Sequence, residues 1–143
     1  MSERQFPIFH YAFPVDDLAG ARRFYGDLLG CKEGKSTARN VNFEFFGHHI
    51  IAHLVAPDAF EVHRKASEGR NIAIRHFGIA MPWDEYETLR DRLVSAGAKF
   101  VVAPETRHEG TEGEEALMLL ADPSGNVVEF KTYRDIEYLF NKQ

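Results

Sequence analysis

Three histidines and one glutamate stand inside runs that otherwise read as apolar strands: His10 in "FHYAFPV", His53 in "HIIAHLV", His76 in "RHFGIAM" and Glu129 in "NVVEFKTY". A carboxylate midway along an apolar strand has a large desolvation cost unless a cation compensates it. Imidazoles together with a carboxylate suit a divalent metal ion. The neutral ring binds Zn, Fe, Ni or Cu, and the carboxylate adds negative charge and hardness. Two histidines and one carboxylate on one side of an ion leave positions for water, substrate or dioxygen.

Strand parity assigns these side chains to faces. His10 shares a face with Ala12, while Phe9, Tyr11, Phe13 and Val15 take the other. His76 shares a face with Gly78 and Ala80, while Phe77, Ile79 and Met81 take the other. In both places the bulky face can pack on a helix, and the small residues leave space around an imidazole. On the later strands, His49, Ile51 and His53 share one face, as do Glu129, Lys131 and Tyr133. A single histidine in a strand is more often a hydrogen-bonded core residue. The equivalence of His10 and His76 argues against that reading for these two.

The elements around them form a repeat, the feature to seek first in any chain. A strand at "FPIFHYAFPV" precedes a helix over "DDLAGARRFYGDLLG", capped at Asp16 or Asp17 and stopped at Gly30. A polar edge strand, "KEGKSTARN", and a hairpin turning at Gly47 follow. The order restarts at "RHFGIAM". A helix over "PWDEYETLRDRLVSAGA" buries Leu89, Leu93 and Val94, then come a strand and a second hairpin turning at "DPSG". The expected fold is therefore α+β, with two βαβββ modules in tandem forming a cupped mixed sheet and helices outside. The boundaries are about 6–56 for module one, 57–74 for a polar linker, 75–134 for module two and 135–143 for a tail.

Composition narrows the partners. With 44% hydrophobic and 27% charged residues, the chain reads as globular and not disordered. A net charge of −5 argues against nucleic acid, which favours a basic face. No apolar run approaches the ~20 residues of a membrane span, and "MSERQFPIF" lacks the order of a signal peptide. Cys31 stands alone, so no internal disulfide forms, and a cytoplasmic location with a packed thiol is expected.

Three stretches, "FHYAFPVDDLAGARRFYGDLLGC", "RHFGIAM" and "LADPSGNVVEF", resemble the vicinal oxygen chelate superfamily over about residues 6–134. That superfamily includes glyoxalase I, bleomycin-resistance proteins, fosfomycin-resistance enzymes, methylmalonyl-CoA epimerase and extradiol dioxygenases. The resemblance implies two βαβββ modules around one metal, with ligands from the first and last strands of each. Carried over by position, the ligands are His10, His76 and Glu129, with His53 at or near the fourth place. The bleomycin-binding members lack the ligands, so His10, His76 and Glu129 count against that branch.

Glyoxalase and epimerase reactions use a second carboxylate at the metal as base, and here His53 stands in that place. Extradiol cleavage needs iron(II) to hold a catecholate and dioxygen, and a nearby His or Tyr to manage protons. The expected function is an extradiol-dioxygenase-like metalloenzyme. His53 and Tyr133 are its catalytic candidates, and Phe43, Phe45 and His49 line the substrate pocket. Fe(II) is the favoured ion, with Zn, Ni, Co and Mn as alternatives. The other readings are a glyoxalase- or epimerase-like isomerase and a small-molecule-sequestering resistance protein. A homodimer is expected, as family members often form one.

Overall fold

The computed structural model describes residues 6–57, 64–67, 70–73 and 75–141. The chain divides into two units. The first comprises Met1–Val62 with Asp122–Asn126, and the second comprises His63–Ala121 with Val127–Gln143.

In the first unit, β1 (His10–Val15) leads into α1 (Leu18–Ala21), which continues as a π-helical segment (Arg22–Leu28). Gly30 then takes φ 77°, a left-handed conformation that ends a helix at little cost to glycine. Three strands follow, β2 (Lys32–Ser36), β3 (Asn40–Phe45) and β4 (His48–Leu54). The sheet order is β1-β4-β3-β2, with β1 parallel to β4 and the other pairs antiparallel. Only Phe46 and Gly47 link β3 to β4. Both have positive φ, 50° and 87°, the geometry of a tight hairpin turn.

One face of this sheet packs on the helix. Phe13, Tyr25 and Phe43 bring their rings to 5.2 and 5.5 Å of one another, and Tyr25 is fully buried. The Tyr25 hydroxyl donates to Asp122 Oδ2 at 2.9 Å. Asp122 in turn accepts from the backbone N–H groups of Ser124 and Asn126, and Asn126 Nδ2 donates to the Pro14 carbonyl. The "DPSGN" turn is thus tied to β1 and to the helix by a connected set of buried polar groups. Burial pushes the Asp122 carboxyl up despite the hydrogen bonds it receives, and pushes the Tyr25 phenol well above its ordinary range. Cys31 is buried.

Next in the chain, β5 (Arg64–Ser67) and β6 (Arg70–Ala73) pair as an antiparallel hairpin. The sequence led us to expect an irregular linker here. The rest of that stretch from 58, including His63, lies outside the described residues, apart from Arg75 onward and Pro57.

The second unit repeats the first unit's plan. It contains β7 (Phe77–Ala80), α2 (Trp83–Ser95), β8 (Phe100–Arg107), β9 (Glu115–Ala121) and β10 (Val127–Tyr133). The sheet order β7-β10-β9-β8 matches that of the first unit, with β7 parallel to β10. Helix α2 buries Tyr86, Leu89 and Leu93. Val94, expected in that stripe, is 56% exposed. It lies about 100° around the helix from Leu93, which turns it off the packed face. The tail contains a short helix, α3 (Ile136–Phe140), that the sequence reading left without structure. Among the described residues, no helix is long and apolar enough to cross a membrane.

Candidate metal centre

Burial along β1 alternates as the parity of its sequence requires. Phe13 and Val15 are buried, and His10 and Ala12 are exposed. Cross-strand register carries the His10 face across the sheet. His10 pairs with His49, His49 with Glu44, and Glu44 with Lys32. One step along, Ala12 pairs with Ile51 and Ile51 with Asn42. Two steps along, Pro14 pairs with His53 and His53 with Asn40.

His10 therefore meets His49, with Nδ1 to Nδ1 at 2.8 Å and ring planes inclined by 22°. His49 Nε2 lies 2.6 Å from Asn42 Oδ1. Burial, and then the neighbouring His10, lower the His49 imidazole below its ordinary value. His53 is exposed at the far end of β4, four residues from His49 or about 13 Å along a strand. Parallel pairing thus places residue 49, not residue 53, beside residue 10.

In the second unit, Glu129 pairs with Gly78. A Cβ built at Gly78 would collide with the Glu129 backbone carbonyl, so this close approach requires glycine. His76 Nε2 donates to Glu129 Oε1 at 3.3 Å. Burial alone would push the Glu129 carboxyl up. The His76 hydrogen bond and the Lys131 ammonium outweigh it and hold the carboxyl below the usual range. Lys131 lies on the same face, with its ammonium 5.1 Å from the centre of the Tyr133 ring. Burial would lower the Lys131 ammonium, but the Tyr133 hydrogen bond and Glu129 raise it. Tyr133 lines a cavity of about 330 Å³ with Ala80, Met81, Pro82, Arg134 and Ile136.

The pocket residues divide. A cavity of about 430 Å³ in the first unit is bounded by residues including Ile8, Lys32, Asn42, Phe43, Glu44 and His49. His49 and Phe43 thus line a cavity, although the Phe43 ring packs on Tyr25. Phe45 does not line it. It is buried with Val41 and Phe43 on the helix-packed face, and this corrects the expectation for Phe45. The strand "NVNFEF" alternates, so the parity rule applied to it assigns Asn42 and Glu44, not the phenylalanines, to the His10 face. Sequence reasoning missed Asn42 because aromatic residues were favoured as cavity walls over the polar residues between them.

The His76–Glu129 pair has donor types that suit a divalent ion. The His76 nitrogen and Glu129 oxygen are separated by 3.3 Å, the spacing of adjacent ligands with bonds of ~2.0–2.2 Å. His10 Nε2 makes no hydrogen bond among the described residues. Among the described residues, no three His, Cys, Asp or Glu side chains converge as a metal-binding group.

The sequence model of the glyoxalase/bleomycin resistance protein/dioxygenase superfamily matches residues 8–130. The chain belongs to this superfamily. A glyoxalase/bleomycin resistance protein/dioxygenase from Alicyclobacillus acidocaldarius is 32% identical, with 96% of this chain and 98% of that one covered and a TM-score of 0.77. Two other solved structures share the fold at lower identity. The fosfomycin resistance protein FosX from Listeria monocytogenes is 16% identical over 93% of this chain and 97% of that one, with a TM-score of 0.65. Lactoylglutathione lyase from Agrobacterium tumefaciens is 19% identical over 91% and 96%, with a TM-score of 0.60. No curated protein matches the chain.

Proposed function

We propose that the protein is a metal-dependent enzyme that opens catechol-type rings by extradiol cleavage. Its ligand set is His10, His76 and Glu129, Fe(II) is the favoured ion, and it works as a homodimer. One observation carries this reading. Glu129 stands opposite Gly78 on the strand pair of the second unit, and the register-equivalent residue of the first unit, opposite Ala12, is Ile51. An alkyl side chain there supplies neither a second carboxylate ligand nor a base. Two histidines and one carboxylate leave open positions for a substrate's adjacent oxygens and for dioxygen.

When bound, the ion would draw electron density from substrate oxygens and, as iron, pair them with dioxygen. The chain's own groups would do the rest. Glu129, kept ionised by His76 and Lys131, contributes the negative charge that favours cation binding. Tyr133, held by Lys131, is a proton donor or acceptor at the second unit's cavity. His53, exposed at the end of the His10 face, is a second proton carrier in contact with solvent.

The test is anaerobic reconstitution with Fe(II), followed by oxygen uptake with a panel of catechols. Uptake with formation of a ring-opened product supports the reading. Turnover of a hemithioacetal with Zn or Ni, with no oxygen uptake under Fe(II), overturns it in favour of an isomerase. Stoichiometric ligand binding without turnover under any metal overturns it in favour of a sequestering protein.

A further inference from the structure

His10 ends a chain of hydrogen bonds that begins at a backbone carbonyl. The Lys35 carbonyl oxygen can only accept, and Asn42 Nδ2 donates to it at 2.6 Å. That bond orients the amide so that Asn42 Oδ1 faces His49 Nε2 at 2.6 Å. An amide oxygen also only accepts, so His49 carries its proton on Nε2. A neutral imidazole has one N–H, which leaves a lone pair on His49 Nδ1. His10 Nδ1 lies 2.8 Å from that lone pair. The proton between the two rings therefore belongs to His10 Nδ1. His10 Nε2 is left with a lone pair and with no hydrogen-bond partner among the described residues.

Both nitrogens of His49 are engaged by this chain, so His49 is not itself a free donor to a cation. The second unit is wired differently. There His76 Nε2 donates to the Glu129 carboxylate at 3.3 Å.

We propose that Asn42 and His49 are positioning residues that hold His10 as its Nδ1-protonated tautomer and present Nε2 to a divalent cation. The cation half of this proposal rests on the metal-centre reading above. The physical gain is twofold. The ring is fixed in the tautomer whose free nitrogen binds, and donation from Nδ1 makes Nε2 a stronger ligand. Loss of such outer partners commonly weakens metal binding about 10- to 100-fold.

The experiment is long-range ¹H–¹⁵N correlation of histidine-labelled, metal-free protein at neutral pH, followed by titration with Zn²⁺. The wild type is expected to show His10 protonated at Nδ1 and His49 at Nε2. Zn²⁺ should then shift His10 Nε2 and leave both His49 nitrogens uncoordinated. His49→Phe and Asn42→Leu are expected to return His10 towards the Nε2-protonated form and weaken Zn²⁺ binding about 10- to 100-fold. A wild-type His10 protonated at Nε2, or Zn²⁺ coordinated by His49, overturns the proposal without any variant having to fold. The expected tautomers in a protein that binds no Zn²⁺ would uphold the hydrogen-bond chain but overturn its cation role and the metal reading with it.

Discussion

Gly78 lies opposite Glu129 in the parallel register of β7 and β10, and the Glu129 carbonyl occupies the space a Cβ at Gly78 would need. The residue that bears the carboxylate is thus held against its neighbour by the absence of a side chain. Gly78→Ala must push the strands apart. Overpacking in a well-packed region costs about 1–3 kcal/mol, and the displaced strand also carries the candidate ligand. We expect a lower urea midpoint and weaker divalent-metal binding in this variant. By contrast, Ala80→Gly on the same face is expected to leave metal binding unchanged.

Glu129 and His76 should titrate as partners. The Glu129 carboxyl is held below its ordinary value in the fold, so the stability it contributes is present above the unfolded carboxylate pKa of about 4.5. That contribution is lost as pH falls through the lower folded value. In His76→Ala the largest compensating hydrogen bond goes and burial remains, so the Glu129 pKa should rise. Carboxyl ¹³C titration of the metal-free protein reads this directly. An unchanged Glu129 midpoint would show that the two side chains do not interact in solution.

Two buried tyrosines make opposite predictions. Tyr25 donates its hydroxyl proton to Asp122, whereas the Tyr86 hydroxyl is buried with no hydrogen-bond partner among the described residues, and burial pushes its phenol up to about 12. Tyr25→Phe leaves a buried acceptor short of one donor and should destabilise by about 1–2 kcal/mol. Tyr86→Phe removes an orphaned polar atom without changing the ring, so stability should be unchanged or higher by about 1 kcal/mol. Denaturant midpoints of the two variants compare the effects directly.

The β3–β4 turn contains a strained residue. Phe46 adopts φ 50°, a conformation that costs a bulky L-residue about 1–2 kcal/mol. Its ring meets Phe45 edge-on at 4.9 Å, which offsets part of that cost. Phe46→Asn creates the Asn-Gly pair favoured in such turns and should raise the thermal midpoint. A fall would mean that the ring contact outweighs the strain.

Metal affinity should depend on pH through the imidazoles. Ligating histidines must be neutral, so at low pH binding releases protons and weakens. Calorimetry in buffers of different ionisation enthalpy counts the released protons.

The alternation of small and bulky residues around His10 and His76 determined, by itself, which face of each first strand packs on a helix. Strand parity is a local property of the backbone. Local chemistry also placed the helix stop at Gly30, the turn at Gly47 and the "DPSG" turn, since each depends on a few neighbouring residues. Pairing register is not local. It follows from how two strands dock, and it put His49 rather than His53 beside His10 and Ile51 where a second carboxylate would have stood. The chain from Lys35 through Asn42 and His49 to His10 spans four strands. Its direction is set by donor and acceptor contacts that exist only once those strands are side by side.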